Sequence, residues 1–147
     1  MYYGYDSFKK DVRTLVEKTS EFAPDTILAI ARGGLTLAHA YATATDNRNV
    51  FTINSVLYDG DVKRSYPKLF NLPELGNAKK VLILDDIVDS GETLEAVFKV
   101  MLERYPTADF KSAVLYRKPT TIIEPDFYLH DIEEWVDFFW EKDHLPT

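Results

Sequence analysis

The sequence lacks several residue patterns that whole classes of function require. It contains no cysteine, which excludes a disulfide framework, a thiolate nucleophile and a zinc-thiolate site. Its three histidines, His39, His130 and His144, are scattered without ligand spacing, so we assign them no catalytic role. No apolar run approaches the roughly 20 residues of a membrane span, and the N-terminal MYYGYDSFKKDV has no apolar signal-peptide segment. We expect a soluble cytoplasmic protein without a membrane partner.

Positive charge is also scarce. The chain has 17 basic and 24 acidic residues, a net charge of −7, which argues against a broad basic surface for nucleic acid. Its 147 residues are 46% hydrophobic, enough for the core of one ordinary domain. We therefore expect a single domain over 1–147 and no nucleic-acid partner.

Strand and helix patterns alternate along the chain. Helical spacing of apolar residues indicates a helix near Phe8–Val16 and another from Leu94. After the break at Arg32-Gly33-Gly34, the alanine-rich segment 35–45 could pack as a further helix. The predicted strands are 26–31, 50–58, 81–84 and 110–116. Such alternation is typical of a parallel, right-handed α/β sheet. Residues 59–77 are polar, contain proline and show no clear period, which predicts a long loop of the kind that is usually functional or disordered.

The stretch KVLILDDIVDSGETLEAV, residues 80–97, carries the strongest chemical signal. Two acids, Asp85 and Asp86, are expected at the end of a buried strand, where they could hold ribose hydroxyls and help to hold a cation. The following segment, 89–93, offers backbone N–H groups, a glycine and two hydroxyls as a phosphate cradle. Glu92 would repel a phosphate unless its side chain points to solvent. A simpler alternative is a helix cap beside a solvated acidic turn.

Two other phosphate-handling classes do not fit this pattern. In a response-regulator receiver the acid pair lies near the start of the domain, but only 61 residues follow Asp86 here. A Walker-type NTPase requires a glycine-rich loop ending in Gly-Lys-Ser or Gly-Lys-Thr, and the sequence has none.

The nine residues DDIVDSGET, 85–93, resemble the phosphoribosyl pyrophosphate (PRPP) motif of the type I phosphoribosyltransferases. Ala31-Arg32-Gly33-Gly34 is similar to the pyrophosphate loop of that family. The resemblance implies an α/β fold with a central, mainly parallel twisted sheet flanked by helices. It also implies a small base-binding hood, built largely from about residues 117–147, and a cis peptide bond between Ala31 and Arg32.

The C-terminal part resembles the bacterial xanthine-guanine phosphoribosyltransferases. Lys118 precedes a proline, and 131–141 reads DIEEWVDFFWE. The resemblance implies that Lys118 donates to the 6-oxo oxygen of a purine, that Trp135 stacks on the ring, and that backbone groups of Val136, with Asp137 beside it, read the 2-position. Lysine has donors only, so adenine should be disfavoured. Alternatively, the aromatic residues belong to the core or to a dimer interface.

The implied reaction transfers the 5-phosphoribosyl group from PRPP to guanine, xanthine or hypoxanthine and releases pyrophosphate. The resemblance implies Mg²⁺ as cofactor, with Asp86 as a ligand, Asp89 as general base, and a homodimer or homotetramer. The implied PRPP-binding residues are Asp85, Asp86, Ser90, Gly91, Glu92 and Thr93. The implied pyrophosphate-binding residues are Arg32, Gly33 and Arg64.

Arg64 lies in YDGDVKRSYPK, 58–68, which occupies the place of the family's mobile catalytic loop. Lys63 is an alternative pyrophosphate ligand in the same segment. The usual Ser-Tyr pair is Leu57-Tyr58 here, which puts the serine's part in loop closure in doubt. Two other functions stay open, a PRPP-binding regulatory module without catalysis and a pyrimidine phosphoribosyltransferase.

Overall fold

The computed structural model describes residues 1–146, apart from the side chain of Asp59. The strands are β1 (Tyr2–Tyr3), β2 (Thr26–Ala31), β3 (Val50–Asp59), β4 (Val62–Phe70), β5 (Lys80–Val88), β6 (Asp109–Arg117), β7 (Phe127–Asp131) and β8 (Asp137–Phe138). The helices are α1 (Tyr5–Thr19), α2 (Leu35–Ala44), α3 (Glu92–Arg104) and α4 (Phe139–Lys142). Six strands form one sheet in the order β4-β3-β2-β5-β6-β7.

The central strands β2 and β5 are apolar because both faces of the sheet are covered. On β2, Ile27 and Ala29 belong to the apolar layer that includes α1 and α2. Leu28 and Ile30 belong to the opposite layer, which includes α3. Every residue of β2 is buried, as expected for a strand in the middle of a doubly covered sheet.

Pairing is parallel throughout this sheet except between β3 and β4, which are antiparallel. The chain leaves β2 through α2 towards β3, and leaves β5 through α3 towards β6. The strand order therefore diverges between β2 and β5. In open α/β sheets, ligands bind at the carboxyl ends of the strands at such a switch point.

The prediction of a long loop over 59–77 is wrong in its first part. Residues Val62–Phe70 form β4, an edge strand that pairs with β3 as a hairpin. Most of β4 is exposed and Pro67 is its one buried residue, so its sequence shows no apolar alternation. An edge strand tolerates both solvent-facing polar residues and proline, which explains why the sequence pattern did not reveal it.

The prediction that Asp85 and Asp86 end their strand is also wrong. Strand β5 continues to Val88 because β6 keeps pairing with it, at Ile87↔Tyr116 and Val88↔Arg117. The two acids therefore lie within the strand, and the turn starts only at Asp89.

The C-terminal segment is joined to the N-terminus by a second, two-stranded parallel sheet of β1 and β8. Tyr3 is buried there, with its ring edge-on to the rings of Phe138 and Trp140 at 5.5 and 5.9 Å. This packing fixes the hood-like C-terminal segment against the main sheet. Among residues 1–146, no helix combines the length and apolarity needed to cross a membrane.

Candidate active site

The loop after β2 lies directly against the acids of β5. The Ala31–Arg32 peptide bond is cis, as predicted. A Cβ added to Gly33 would lie 2.8 Å from each carboxylate oxygen of Asp86. Because real Cβ contacts are not that short, glycine is needed at position 33 for the loop to approach the carboxylate. Arg32 is exposed, and it lines the same cavity as the buried Asp86.

Asp85 and Asp86 form a shielded acidic pair. Asp86 is 5% exposed, and Asp85 is half-buried. The Asp85 carboxylate accepts a hydrogen bond from the N–H of Asp86 at 2.8 Å, and the Asp86 carboxylate accepts one from the N–H of Ile87 at 2.7 Å.

Burial dominates the titration of both acids. It raises the pKa of Asp86 to about 6, and the nearby Glu141 carboxylate adds to the rise. Burial and the charge of Asp86 raise the pKa of Asp85. A cation or ribose hydroxyls would stabilise the ionised forms of both acids.

The turn between β5 and α3 has the form of an anion cradle. Gly91 is the N-cap of α3 with φ of +91°, a left-handed conformation that favours glycine. The N–H of Glu92 lies 3.3 Å from Ser90 Oγ. The first turn of a helix leaves N–H groups without intrahelical partners, and these suit a phosphate.

A short segment after β6 is fastened to this turn. The N–H of Lys118 donates to the carbonyl of Val88 at 2.9 Å, and the N–H of Ile122 donates to the carbonyl of Ser90 at 2.9 Å. Thr121 Oγ1 occupies the space where a Cβ on Gly91 would lie. Residues 118–122 and the β5–α3 turn are thus held together by backbone hydrogen bonds.

Two lysines from distant parts of the chain pair with acids of the turn. Lys118 Nζ lies 3.2 Å from Asp89 Oδ1, and Lys63 Nζ lies 2.6 Å from Glu92 Oε1. The Glu92 side chain, 28% exposed, is thus paired with Lys63 of β4. Both pairs join segments that are far apart along the chain.

A cavity of about 270 Å³ lies at the carboxyl ends of β2 and β5. Seven of the predicted site residues line it, namely Arg32, Gly33, Asp85, Asp86, Thr93, Trp135 and Val136. The other predicted residues are not among its lining within the described chain: Asp89, Ser90, Gly91 and Glu92 form the adjoining turn, Lys118 pairs with Asp89, and Arg64 lies on β4.

Seven lining residues were not among the predicted site residues: Ile30, Ala31, Ser55, Leu57, Ile87, Phe138 and Glu141. Ser55 and Leu57 come from β3, and Phe138 and Glu141 come from the C-terminal segment. Leu57 was considered only as a departure from the family's serine. No local pattern marks Ser55 or Glu141, because their places in the cavity depend on strand register and on the packing of α4.

The acidic pair suits a magnesium ion. Within residues 1–146, no three acidic or histidine side chains are grouped as a metal cage. Magnesium in sugar-phosphate sites uses one or two carboxylates and takes its remaining oxygens from phosphate and water. The buried Asp86, with Asp85 next to it, supplies such a donor set.

Taken together, the fold and the site define an α/β protein of the phosphoribosyl-binding class, with a glycine turn at a helix start and an acid pair at the switch point of a parallel sheet. Residues 3–146 match the family described as phosphoribosyl transferase domain. The chain belongs to this family of enzymes, and its fold is the type I phosphoribosyltransferase fold.

Curated relatives and solved structures agree with this assignment. The chain is 31% identical to the xanthine-guanine phosphoribosyltransferase of Cereibacter sphaeroides, over 94% of this chain and 84% of that protein. It is 38% identical to the Helicobacter pylori xanthine-guanine-hypoxanthine phosphoribosyltransferase structure, with a TM-score of 0.90 over 97% of this chain and 94% of that one.

A purine phosphoribosyltransferase structure from Pyrococcus horikoshii is 31% identical, with a TM-score of 0.83 over all of this chain and 95% of its own.

Proposed function

We propose that this chain transfers the 5-phosphoribosyl group of PRPP to a 6-oxopurine, in a magnesium-dependent salvage reaction that yields a nucleoside 5′-monophosphate and pyrophosphate. The relatives named for xanthine, guanine and hypoxanthine support this substrate class. We further propose that residues 1–147 act as one domain, in the cytoplasm, as a homodimer or homotetramer.

The Lys118–Asp89 pair is the observation that supports a 6-oxopurine most directly. Lys118 Nζ, which can only donate hydrogen bonds, lies 3.2 Å from the Asp89 carboxylate, which can accept them. A 6-oxopurine presents its 6-oxo oxygen and N7 side by side on one edge. Lys118 can donate to that oxygen while Asp89 accepts the proton carried by N7. Adenine places an amino donor opposite Lys118, so the same pair disfavours it.

Asp89 is the proposed general base. The bond between the anomeric carbon and the pyrophosphate oxygen breaks, a bond to a ring nitrogen of the purine forms, and the N7 proton passes to Asp89. Since the anomeric carbon becomes oxocarbenium-like, stabilising the leaving group and excluding water matter more than activating a nucleophile. Asp89 is exposed in the free protein, so the bound base itself would have to shield it.

On the other side of the cavity, Arg32 and the backbone at Gly33 are the proposed pyrophosphate ligands, and Arg64 of the hairpin is a further candidate. Asp85 and Asp86 would hold the ribose hydroxyls, and Asp86 would hold magnesium. When bound, magnesium would neutralise charge on the pyrophosphate and ribose oxygens.

The 5-phosphate would lie at the start of α3, on the N–H groups of 90–93. Trp135 and Val136 are the proposed walls of the base subsite. Trp135 is 66% exposed at the cavity, and its indole N–H donates to Asp137 Oδ1 at 3.1 Å. An exposed ring held by such a bond can offer its face to a base. Val136 is buried beside it.

The primary test is pyrophosphate release from PRPP with magnesium, measured in parallel with guanine, xanthine, hypoxanthine, adenine, uracil and orotate. We expect turnover with 6-oxopurines alone. Turnover only with uracil or orotate would identify a pyrimidine transferase instead, and PRPP binding without turnover of any base would identify the regulatory module.

The variant Asp89→Asn tests the base directly. We expect kcat to fall about 100-fold or more, as for loss of a general base, while the dissociation constant of PRPP changes less than about threefold. The control is Asp109→Asn. Asp109 is an exposed acid at the amino end of β6, whereas the site lies at the carboxyl ends of the strands. Equal losses of turnover and PRPP binding, or no loss, would refute the role of Asp89.

A further inference from the structure

Glu92 is a carboxylate in a place that should attract anions. It is the first residue of α3, and its own N–H belongs to the turn that forms the proposed phosphate cradle. A negative side chain near the 5-phosphate of a ligand would oppose binding through Coulomb repulsion. Its charge therefore requires compensation if the cradle is to hold a phosphate.

The compensation comes from the β3–β4 hairpin. Lys63 Nζ contacts Glu92 Oε1 at 2.6 Å, across 29 residues of sequence. The two side chains are 46% and 28% exposed, so the pair is partly shielded from water. The hydrogen bond to Glu92 raises the pKa of Lys63, so the contact favours the charged ammonium.

We propose that Lys63 is a positioning residue for the 5-phosphate subsite, acting as the counterion of Glu92 rather than as a ligand of the pyrophosphate. This inference rests on the proposed function of the site. With the pair intact, the start of α3 presents N–H groups and a neutralised side chain to the phosphate. Without Lys63, the Glu92 carboxylate would carry an uncompensated charge at the helix start that binds the phosphate.

The test separates the two subsites by using two ligands. Ribose 5-phosphate carries the 5-phosphate alone, and magnesium pyrophosphate carries the leaving group alone. Their dissociation constants are measured by calorimetry for the wild type, Lys63→Met, Glu92→Gln and the double variant. The controls are Lys68→Met, which removes another lysine of β4, and Glu95→Gln, which removes an exposed acid one turn along α3.

We expect Lys63→Met to weaken ribose 5-phosphate binding about tenfold, because the uncompensated Glu92 charge would repel the nearby phosphate. Pyrophosphate binding should stay within about twofold of wild type. Glu92→Gln should bind ribose 5-phosphate at least as well as wild type. The double variant should recover wild-type affinity within about threefold, because the repelling charge is then gone. That recovery also shows that loss of Lys63 does not unfold the site.

Three results would overturn the proposal: a loss in Lys63→Met confined to pyrophosphate, no loss for either ligand, or a double variant as weak as Lys63→Met. If the wild type binds neither ligand, the proposed function itself fails. That outcome differs from the other three, in which the wild type binds and only the role of Lys63 is wrong.

Discussion

The buried carboxylate of Asp86 should destabilise the ligand-free protein at neutral pH. Its pKa of about 6 lies above the ordinary value of 3.8, so the folded protein holds this proton more tightly than the unfolded chain does. The stability associated with the protonated group is fully present below about pH 4 and is lost as the pH rises to 6. From about one pH unit above this pKa the penalty is constant.

The substitution Asp86→Asn removes the titrating group and keeps an oxygen for the hydrogen bond from Ile87. A shift of roughly two pKa units corresponds to about 3 kcal/mol at most, which for a chain of this size is roughly 6–12 °C in Tm. We expect the variant to be more stable than wild type by up to that amount at pH 7.5, and about equally stable at pH 4.

The assay is thermal and urea unfolding of both proteins between pH 4 and 8, with EDTA present and no ligand. Asp6→Asn is the control, since the side chain of Asp6 is 93% exposed and its removal should leave no pH-dependent gap. A variant that is less stable at pH 7.5, or a gap that does not widen between pH 4 and 7, would refute the reasoning.

Three other substitutions test separate parts of the structure. Gly33→Ala should weaken PRPP binding roughly 5- to 150-fold in calorimetry, because the new Cβ collides with Asp86; unchanged affinity would contradict the contact. Trp135→Ala should raise the KM of the purine roughly 5- to 150-fold through lost stacking, and an equal rise in the KM of PRPP would contradict its place in the base subsite. Leu115→Ala, in the fully buried part of β6, should lower the free energy of unfolding by about 2–5 kcal/mol in urea titrations, and a smaller loss would contradict tight packing there.

Local signals predicted the central part of the fold. Strand β2 was predicted with the bounds that the structure shows, Thr26–Ala31, because an unbroken apolar run between polar breaks has few other solutions. The helices predicted over 35–45 and from Leu94, from a glycine turn and from apolar spacing, are present as Leu35–Ala44 and Glu92–Arg104. The edge strand β4 was not predicted. It buries little of its own surface and is held by pairing with β3, so it carries no local apolar signal.

The site residues also divide into those that local sequence signals predicted and those that they did not. Residues 85–93 are contiguous, so the chain itself brings the acid pair, the glycine turn and the helix start together, and their chemistry could be read from the order of residues. The contacts of Lys63 with Glu92 and of Lys118 with Asp89 could not be read in this way. They join segments that are far apart in sequence, and no local pattern encodes such a distance.

The sequence by itself determined the fold class, the PRPP motif and the family, because these depend on short-range order along the chain. Only the tertiary structure decided which charges face one another. It pairs the proposed base with the proposed specificity lysine, places Glu92 against the hairpin, and brings Ser55 and Glu141 to the cavity. Strand register and helix packing set those distances, and both arise from burial summed over the whole chain rather than from any single segment.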